Sequence, residues 1–276
     1  MDPWTKAEFE YAKKLKECSA DKRKALYAEA YGTVSALHNV ARKNKDPEKR
    51  TAGTSPKLVK RLAKICSRSD RILEVGAGRG YTCMKLAAHV ESMVGIEVSE
   101  PSFNEAKNLV RDQGLENVQI LHSSAQDLTT LFNPESFDKV ISIDVIEHLH
   151  PDDAHDHIEQ VYRVLKPGGC YIVHTPNRIN GPHDVTSVVY PESREPIGFH
   201  LNEVTYSELK RQMNNIGFNR FKSFLAFNRY GFIANAICYP ALISIFLERL
   251  YKSAESITLA RKILSHFIGI KLIAYK

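Results

Sequence analysis

Five runs of the chain are apolar and rich in β-branched residues: RILEVGAG (71–78), SMVGIEVS (92–99), VQILHSS (118–124), FDKVISID (137–144) and CYIVHTPN (170–177). Gly, Pro, Asp, Asn or Ser bounds each of them, which predicts five short strands buried on both faces. Helical spacing fills the intervals in YTCMKLAAHV (81–90), EPSFNEAKNLVRDQG (100–114) and PDDAHDHIEQVYRVLKPGG (151–169), the last closing on Lys, Pro and Gly as a helix stop. Strand alternating with helix implies an α/β fold, a doubly wound sheet with right-handed crossovers. Its ligand belongs at the carboxyl ends of the strands, beside the first one.

Beyond the fifth strand the pattern loosens. Residues 178–203 form a long connection punctuated by Pro and Gly, expected to roof an acceptor pocket. A helix over 203–218 and strands over 219–227 and 269–276 follow, giving a Rossmann-like sheet of seven strands, mostly parallel with one antiparallel edge strand. Residues 228–267 read as an apolar helical insertion before the last strand. From Tyr230 to Leu247 no charge occurs for 18 residues, the lower limit for crossing a bilayer. Pro240, Asn235 and Ser244 interrupt the run, and a crossing would part the last strand from its sheet. Farther on, Ile257, Ile263, Leu264, Phe267 and Ile268 gather near one face beside Arg261 and Lys262, the pattern of a basic amphipathic helix. That insertion is expected to meet a membrane surface, a lipid-like acceptor or a partner subunit, or simply to pack on the sheet. Residues 1–55 form a helical, Lys-rich cap, leaving 56–227 with 268–276 as the main domain.

Composition narrows the class. The chain has 276 residues, 43% of them hydrophobic, enough for one large α/β domain with appendages. Its five cysteines form no C-x-x-C pair, which argues against a disulfide frame or a cysteine zinc site and fits a reducing cytoplasm. The N-terminal MDPWTKAEFEYAKK has no apolar core of a secretory signal. Net charge is +6, but residues 1–66 carry 16 Lys/Arg against 8 Asp/Glu, residues 67–209 carry 11 against 22, and residues 210–276 carry 11 against 2. Basic flanks suit phosphates of nucleic acid or anionic lipid at a peripheral site, or only a solvated face.

Chemistry concentrates in two places. Gly76, Gly78 and Gly80 follow the first strand, and Glu97 ends the second. Such a loop brings backbone close to a ligand, and such an acid accepts the two hydroxyls of a ribose. The dinucleotide fingerprint needs a third glycine at 81, where this chain has Tyr81, and Glu74 ahead of the loop suits a cationic ligand better than a pyrophosphate. Taken together, ILEVGAGRG, VGIEVS, SFDKVISIDVIEHL and VLKPGGCYIVHTPN resemble the class I S-adenosylmethionine-dependent methyltransferases over roughly residues 55 to 225.

That resemblance implies roles. Gly76, Gly78 and Gly80 would pass beneath S-adenosylmethionine, Glu74 would orient its methionine end, Glu97 would hold the ribose, Val98 would cover the adenine, and Ile143 with Asp144 would lie near the sulfonium. Many relatives have Asp-Ala at the adenine edge where this chain has Ser124 and Ala125; Ser124 would make that contact, or Asp127 would replace it. The product would be S-adenosylhomocysteine.

The segment DVIEHLHPDDAHDH supplies a candidate general base, His148, beside Asp144 and Glu147, for removing the proton of a hydroxyl acceptor. Glu147 and His148 otherwise only cap and order the segment. His150, His155 and His157 are expected to face solvent. The spacing D-x-x-E-H, with His200 as a possible fourth ligand, resembles the divalent-metal sites of small-RNA 3′-end 2′-O-methyltransferases and, in part, of ubiquinone-pathway O-methyltransferases. The expected function is therefore methyl transfer, foremost to oxygen of a small-molecule, lipid-linked or sugar acceptor. Alternatives are a metal-dependent RNA 2′-O-methyltransferase, disfavoured because no aromatic-and-basic RNA-binding signature is present, a non-catalytic cofactor-binding scaffold, and a dehydrogenase.

Overall fold

The computed structural model describes residues 1–43, 55–224, 238–254, 257–265 and 267–276. One sheet of eight strands organises it: β1 (Arg71–Val75), β2 (Ser92–Glu97), β3 (Val118–His122), β4 (Phe137–Ile143), β5 (Leu165–Thr175), β6 (Arg220–Phe224), β7 (Cys238–Pro240) and β8 (Ile270–Tyr275). Their spatial order is β3-β2-β1-β4-β5-β8-β6-β7. Strands β1 to β5 pair in parallel, and β8 lies antiparallel between β5 and β6.

The helices are α1 (Pro3–Glu17), α2 (Ala20–Lys43), α3 (Pro56–Ile65), α4 (Tyr81–Leu86), α5 (Glu100–Asp112), the short α6 (Leu128–Leu131), α7 (Pro151–Val164), the short α8 (Thr186–Val189), α9 (Tyr206–Ile216), α10 (Ala241–Ser253) and α11 (Thr258–Leu264). Successive strand residues point to opposite faces, and both faces are covered. Leu73, Val75, Val94, Ile96, Val140, Tyr171, Val173 and Leu272 join one core with residues of α1, α2, α7 and α9. Ile72, Met93, Ile120, Ile141, Ile172 and Ile273 join the other with α3, α4 and α5. This two-sided burial is why the strands read as continuous apolar runs.

The sheet has eight strands where the sequence predicts seven. The additional β7 is a three-residue edge strand paired antiparallel with β6. It falls inside the segment expected to be wholly helical, of which α10 and α11 remain helical. Helix α7 ends at Val164, just ahead of the Lys-Pro-Gly stop, and β5 begins at Leu165, before the expected 170, with a register shift against β4 between Phe137 and Lys139. The end of the expected sixth strand, residues 230–237 of the apolar run and the Lys-rich end of the cap at 44–54 lie outside the described residues. Among the described residues no helix is long and apolar enough to cross a membrane.

Helices α1 and α2 are fastened to the domain by buried chemistry. Arg23, 4% exposed, donates from Nε and an η nitrogen to the two oxygens of Asp153 at 2.7 and 2.9 Å. Tyr27 donates its hydroxyl to Asp153 at 2.9 Å and accepts the His150 amide at 2.7 Å. On the other side Lys16 donates to the Pro196 carbonyl, and Phe9 meets Tyr190 edge-on, so α1 also touches the 178–203 connection.

Candidate functional site

The turn after β1 holds Gly76, Gly78 and Gly80 at φ of 72°, 53° and 74°, the left-handed region. At Gly76 a Cβ would come within 2.6 Å of the Val145 side chain, so a larger residue has neither the conformation nor the room. At Gly78 a Cβ would meet nothing within 4 Å. That surface is open for a ligand to lie against the backbone.

Glu97 closes this cradle. One carboxylate oxygen accepts the Gly78 amide at 2.7 Å and the other the Ser99 amide at 2.8 Å, fixing the group at the end of β2 with a lone pair left on each oxygen. Burial pushes its pKa up, while those backbone amides oppose the shift. Glu74 sits deeper, 2% exposed, accepting the Cys83 thiol at 2.9 Å. Burial raises it to about 7.

The segment after β3 carries the next contacts. Ser124 is 6% exposed, and Val98 and Ala125 pack on the core. Asp127 accepts from the Ser123 hydroxyl, the Ser124 amide and Lys24, and the Ser124 hydroxyl accepts the Gln126 amide at 3.3 Å. His157 is a correction: the sequence places it in solvent, but it is fully buried. Its Nδ1–H donates to the Ala125 carbonyl at 2.9 Å, and its Nε2 accepts the Tyr171 hydroxyl at 3.0 Å. Burial lowers its pKa to about 4, so it stays neutral and braces the Ser124–Ala125 segment. His155 is half exposed as expected, while His150 caps the start of α7 by accepting the Asp152 amide.

At the end of β4 the acids and imidazoles separate into two groups. Asp144, at φ 54°, pairs with His174 at 3.0 Å. Burial opposes its charge, but the bond from His174 and the nearby imidazoles hold its pKa below the ordinary value. Ile143 precedes it, half-buried. Glu147 is 1% exposed; one oxygen accepts the Thr175 hydroxyl at 2.9 Å, and the other has no hydrogen-bond partner. Burial, with Asp144 nearby, drives its pKa well above the carboxylate range.

His148 donates from Nδ1 to the Phe199 carbonyl at 3.2 Å, which leaves its Nε2 lone pair free. Burial lowers its pKa to about 4, so it is a neutral base near pH 7. His200 donates from Nδ1 to Glu203 at 2.6 Å, and Glu203 also accepts the backbone amide and ring of His183. Burial works against the Glu203 charge, yet these donors bring its pKa to about 2. The imidazoles of His148 and His200 stand 4.8 Å apart, centroid to centroid.

Ligand atoms of Glu147, His148 and His200 lie within 4.8 Å of one another, so this carboxylate and two imidazoles could hold a divalent cation. Asp144, expected in that set, is diverted to His174. Tyr31 of α2 is a residue the sequence reading missed. Its ring meets His148 edge-on at 5.8 Å, and its hydroxyl is closed off from solvent without a hydrogen-bond partner. Burial first, then Tyr27 and the carboxylates of Glu147, Glu8 and Glu97, hold its phenol well above the ordinary pKa.

A glycine turn on β1, an acid ending β2 and a polar cluster ending β4 gather where the strand order reverses, the place at which doubly wound α/β domains take their ligands. Residues 72–169, from β1 into β5, match the family described as a methyltransferase domain. A probable S-adenosylmethionine-dependent methyltransferase of Mycolicibacterium smegmatis is 30% identical over 161 residues, 58% of this chain and 56% of that protein. A phosphatidylethanolamine N-methyltransferase of Cereibacter sphaeroides is 28% identical over 182 residues, 65% of this chain and 77% of that protein. In fold, phosphoethanolamine N-methyltransferase 2 of Haemonchus contortus, solved with S-adenosyl-L-methionine, matches 81% of this chain and 52% of its own at a TM-score of 0.52 and 18% identity. The chain spans about half the length of the first curated relatives it matches.

Proposed function

We propose that this chain is an S-adenosylmethionine-dependent methyltransferase whose acceptor presents a hydroxyl, on a lipid-like or other small molecule. The residues suit that cofactor: the open backbone at Gly78 and the fixed Glu97 carboxylate would hold its ribose, Ser124 and Val98 its adenine, and Glu74 with the glycine turn its methionine end. When bound it supplies an electrophilic methyl group on a sulfonium.

The observation that carries the reading is His148. Its Phe199 bond sets the tautomer, its burial keeps it neutral, and its Nε2 stands in the cluster at the end of β4. There it would accept the hydroxyl proton as the acceptor oxygen bonds to carbon and the sulfur takes the electron pair of the broken bond. An amine acceptor is nucleophilic when neutral and has less need of a buried base, which favours oxygen over nitrogen. A lipid-like acceptor is supported by the relative named for phosphatidylethanolamine.

Thermal unfolding with S-adenosylhomocysteine tests the cofactor assignment. At a hundredfold excess over its dissociation constant the ligand should add about 2.7 kcal/mol. Stabilisation by NAD in its place would remove the reading. A second reading, a divalent cation at Glu147, His148 and His200 that activates the acceptor, is favoured by their convergence and by the unpartnered Glu147 oxygen. It requires turnover to collapse with a chelator and return with Mn²⁺, Mg²⁺ or Zn²⁺. Chelator-independent turnover assigns the proton to His148 alone.

A further inference from the structure

Thirteen large apolar side chains are exposed among the described residues, and seven of them fall between 242 and 263. Such concentration differs from the single exposed apolar residues of any surface. On α10, Leu242, Ile243, Phe246 and Leu250 are 72%, 45%, 62% and 41% exposed. At spacings of one, four and eight they form one stripe, and Arg249 beside it and Lys252 are exposed as well. On α11, Leu259 and Ile263 are 69% and 55% exposed, with Lys262 exposed between them.

The opposite face of α10 carries different chemistry. Glu248, 4% exposed, accepts from the Asn177 side chain at 2.8 Å, the Tyr206 amide at 2.5 Å and the Ser207 hydroxyl at 2.6 Å. The acid of α10 is thus consumed internally, and the charge left beside the apolar stripe is positive. Asn177 also binds the Ile268 carbonyl at 2.7 Å and stands two residues beyond Thr175, the partner of Glu147. The outward apolar face is therefore tied through α10 to the carboxyl end of β5, next to the candidate site.

We propose that the exposed faces of α10 and α11 dock this protein on an anionic membrane surface. Leu, Ile and Phe enter the boundary of the acyl chains, while Arg249, Lys252 and Lys262 meet lipid phosphates, their aliphatic stems lying along the apolar layer. Charge complementarity selects this occupant over a second copy of the chain, which would set basic flank against basic flank. The docking stands without the methyl-transfer reading; joined to it, it makes the acceptor a lipid presented at the bilayer.

Flotation of the full chain tests this with phosphatidylcholine vesicles containing phosphatidylglycerol and with phosphatidylcholine alone. The protein should float with the anionic vesicles and return toward the bottom fraction at high salt. The Leu242→Glu/Phe246→Glu variant should bind at least about tenfold more weakly. Because both positions are exposed, it should keep its stabilisation by S-adenosylhomocysteine. Failure to float with either vesicle overturns the proposal, as does sedimentation showing a dimer that the variant dissociates. A protein that floats but gains nothing from S-adenosylhomocysteine would sink the methyl-transfer reading alone, and one so stabilised that never floats would sink the docking alone.

Discussion

Replacing Asp153 by Ala should be among the most damaging single changes in this chain, for a reason that concerns its partner. In the folded protein the Arg23 side chain is 5% exposed and Asp153 3%. Removing the carboxylate deletes three hydrogen bonds, two from Arg23 and one from Tyr27, and leaves the guanidinium with the Cys18 carbonyl at 3.2 Å and the solvent-facing Asp152 at 3.7 Å. A buried charge stripped of its partner costs about 3–5 kcal/mol. With about 2.1 cal/mol/K of unfolding entropy per residue, the melting temperature should fall by about 5–9 °C. Differential scanning calorimetry of the apo protein reads this directly. The double variant Arg23→Met/Asp153→Leu should recover much of the loss, because it leaves no orphaned charge. A single variant within about 1 kcal/mol of the parent, or a double variant no better than the single, would refute the reasoning.

Other perturbations address the site. Glu97→Ala should weaken S-adenosylhomocysteine by at least about tenfold in titration calorimetry, since hydrogen bonds to a charged group contribute about 1.5–3 kcal/mol each; unchanged affinity would remove Glu97 from the site. Tyr31→Phe should leave that affinity and the stability intact, because the lost hydroxyl has no partner, yet lower kcat/KM if the hydroxyl meets the acceptor. Equal turnover in that variant would reduce Tyr31 to a packing role. Glu74 has its pKa raised by burial from 4.5 to about 7, so its contribution to stability is full below 4.5 and is lost as pH rises through 7. Urea unfolding of apo Glu74→Gln should therefore show a stability difference from the parent that grows by at most about 1.4 kcal/mol per pH unit across that window. A difference independent of pH would contradict the burial of its charge.

Local sequence determined much of this protein. The apolar runs specified strands buried on both faces, and the glycine turn and Glu97 marked the cradle that the Gly78 amide closes onto the Glu97 carboxylate, because backbone freedom and side-chain period are properties of a few consecutive residues. One missed position was also written locally: His157 falls on the buried stripe of α7 with Ala154, Ile158 and Val161, a 3.6-residue signal that a histidine disguises. Asp144 shows where local reading stops. Its D-x-x-E-H spacing places it with Glu147 and His148, yet a partner thirty residues away, His174 on the neighbouring strand, takes its charge. His200 reaches His148 across the 178–203 connection, and Tyr31 arrives from α2 because the Arg23–Asp153 pair docks that helix. Neither approach is encoded in a spacing. Both depend on the path of the folded chain, in which burial and pairing are settled between segments far apart in sequence.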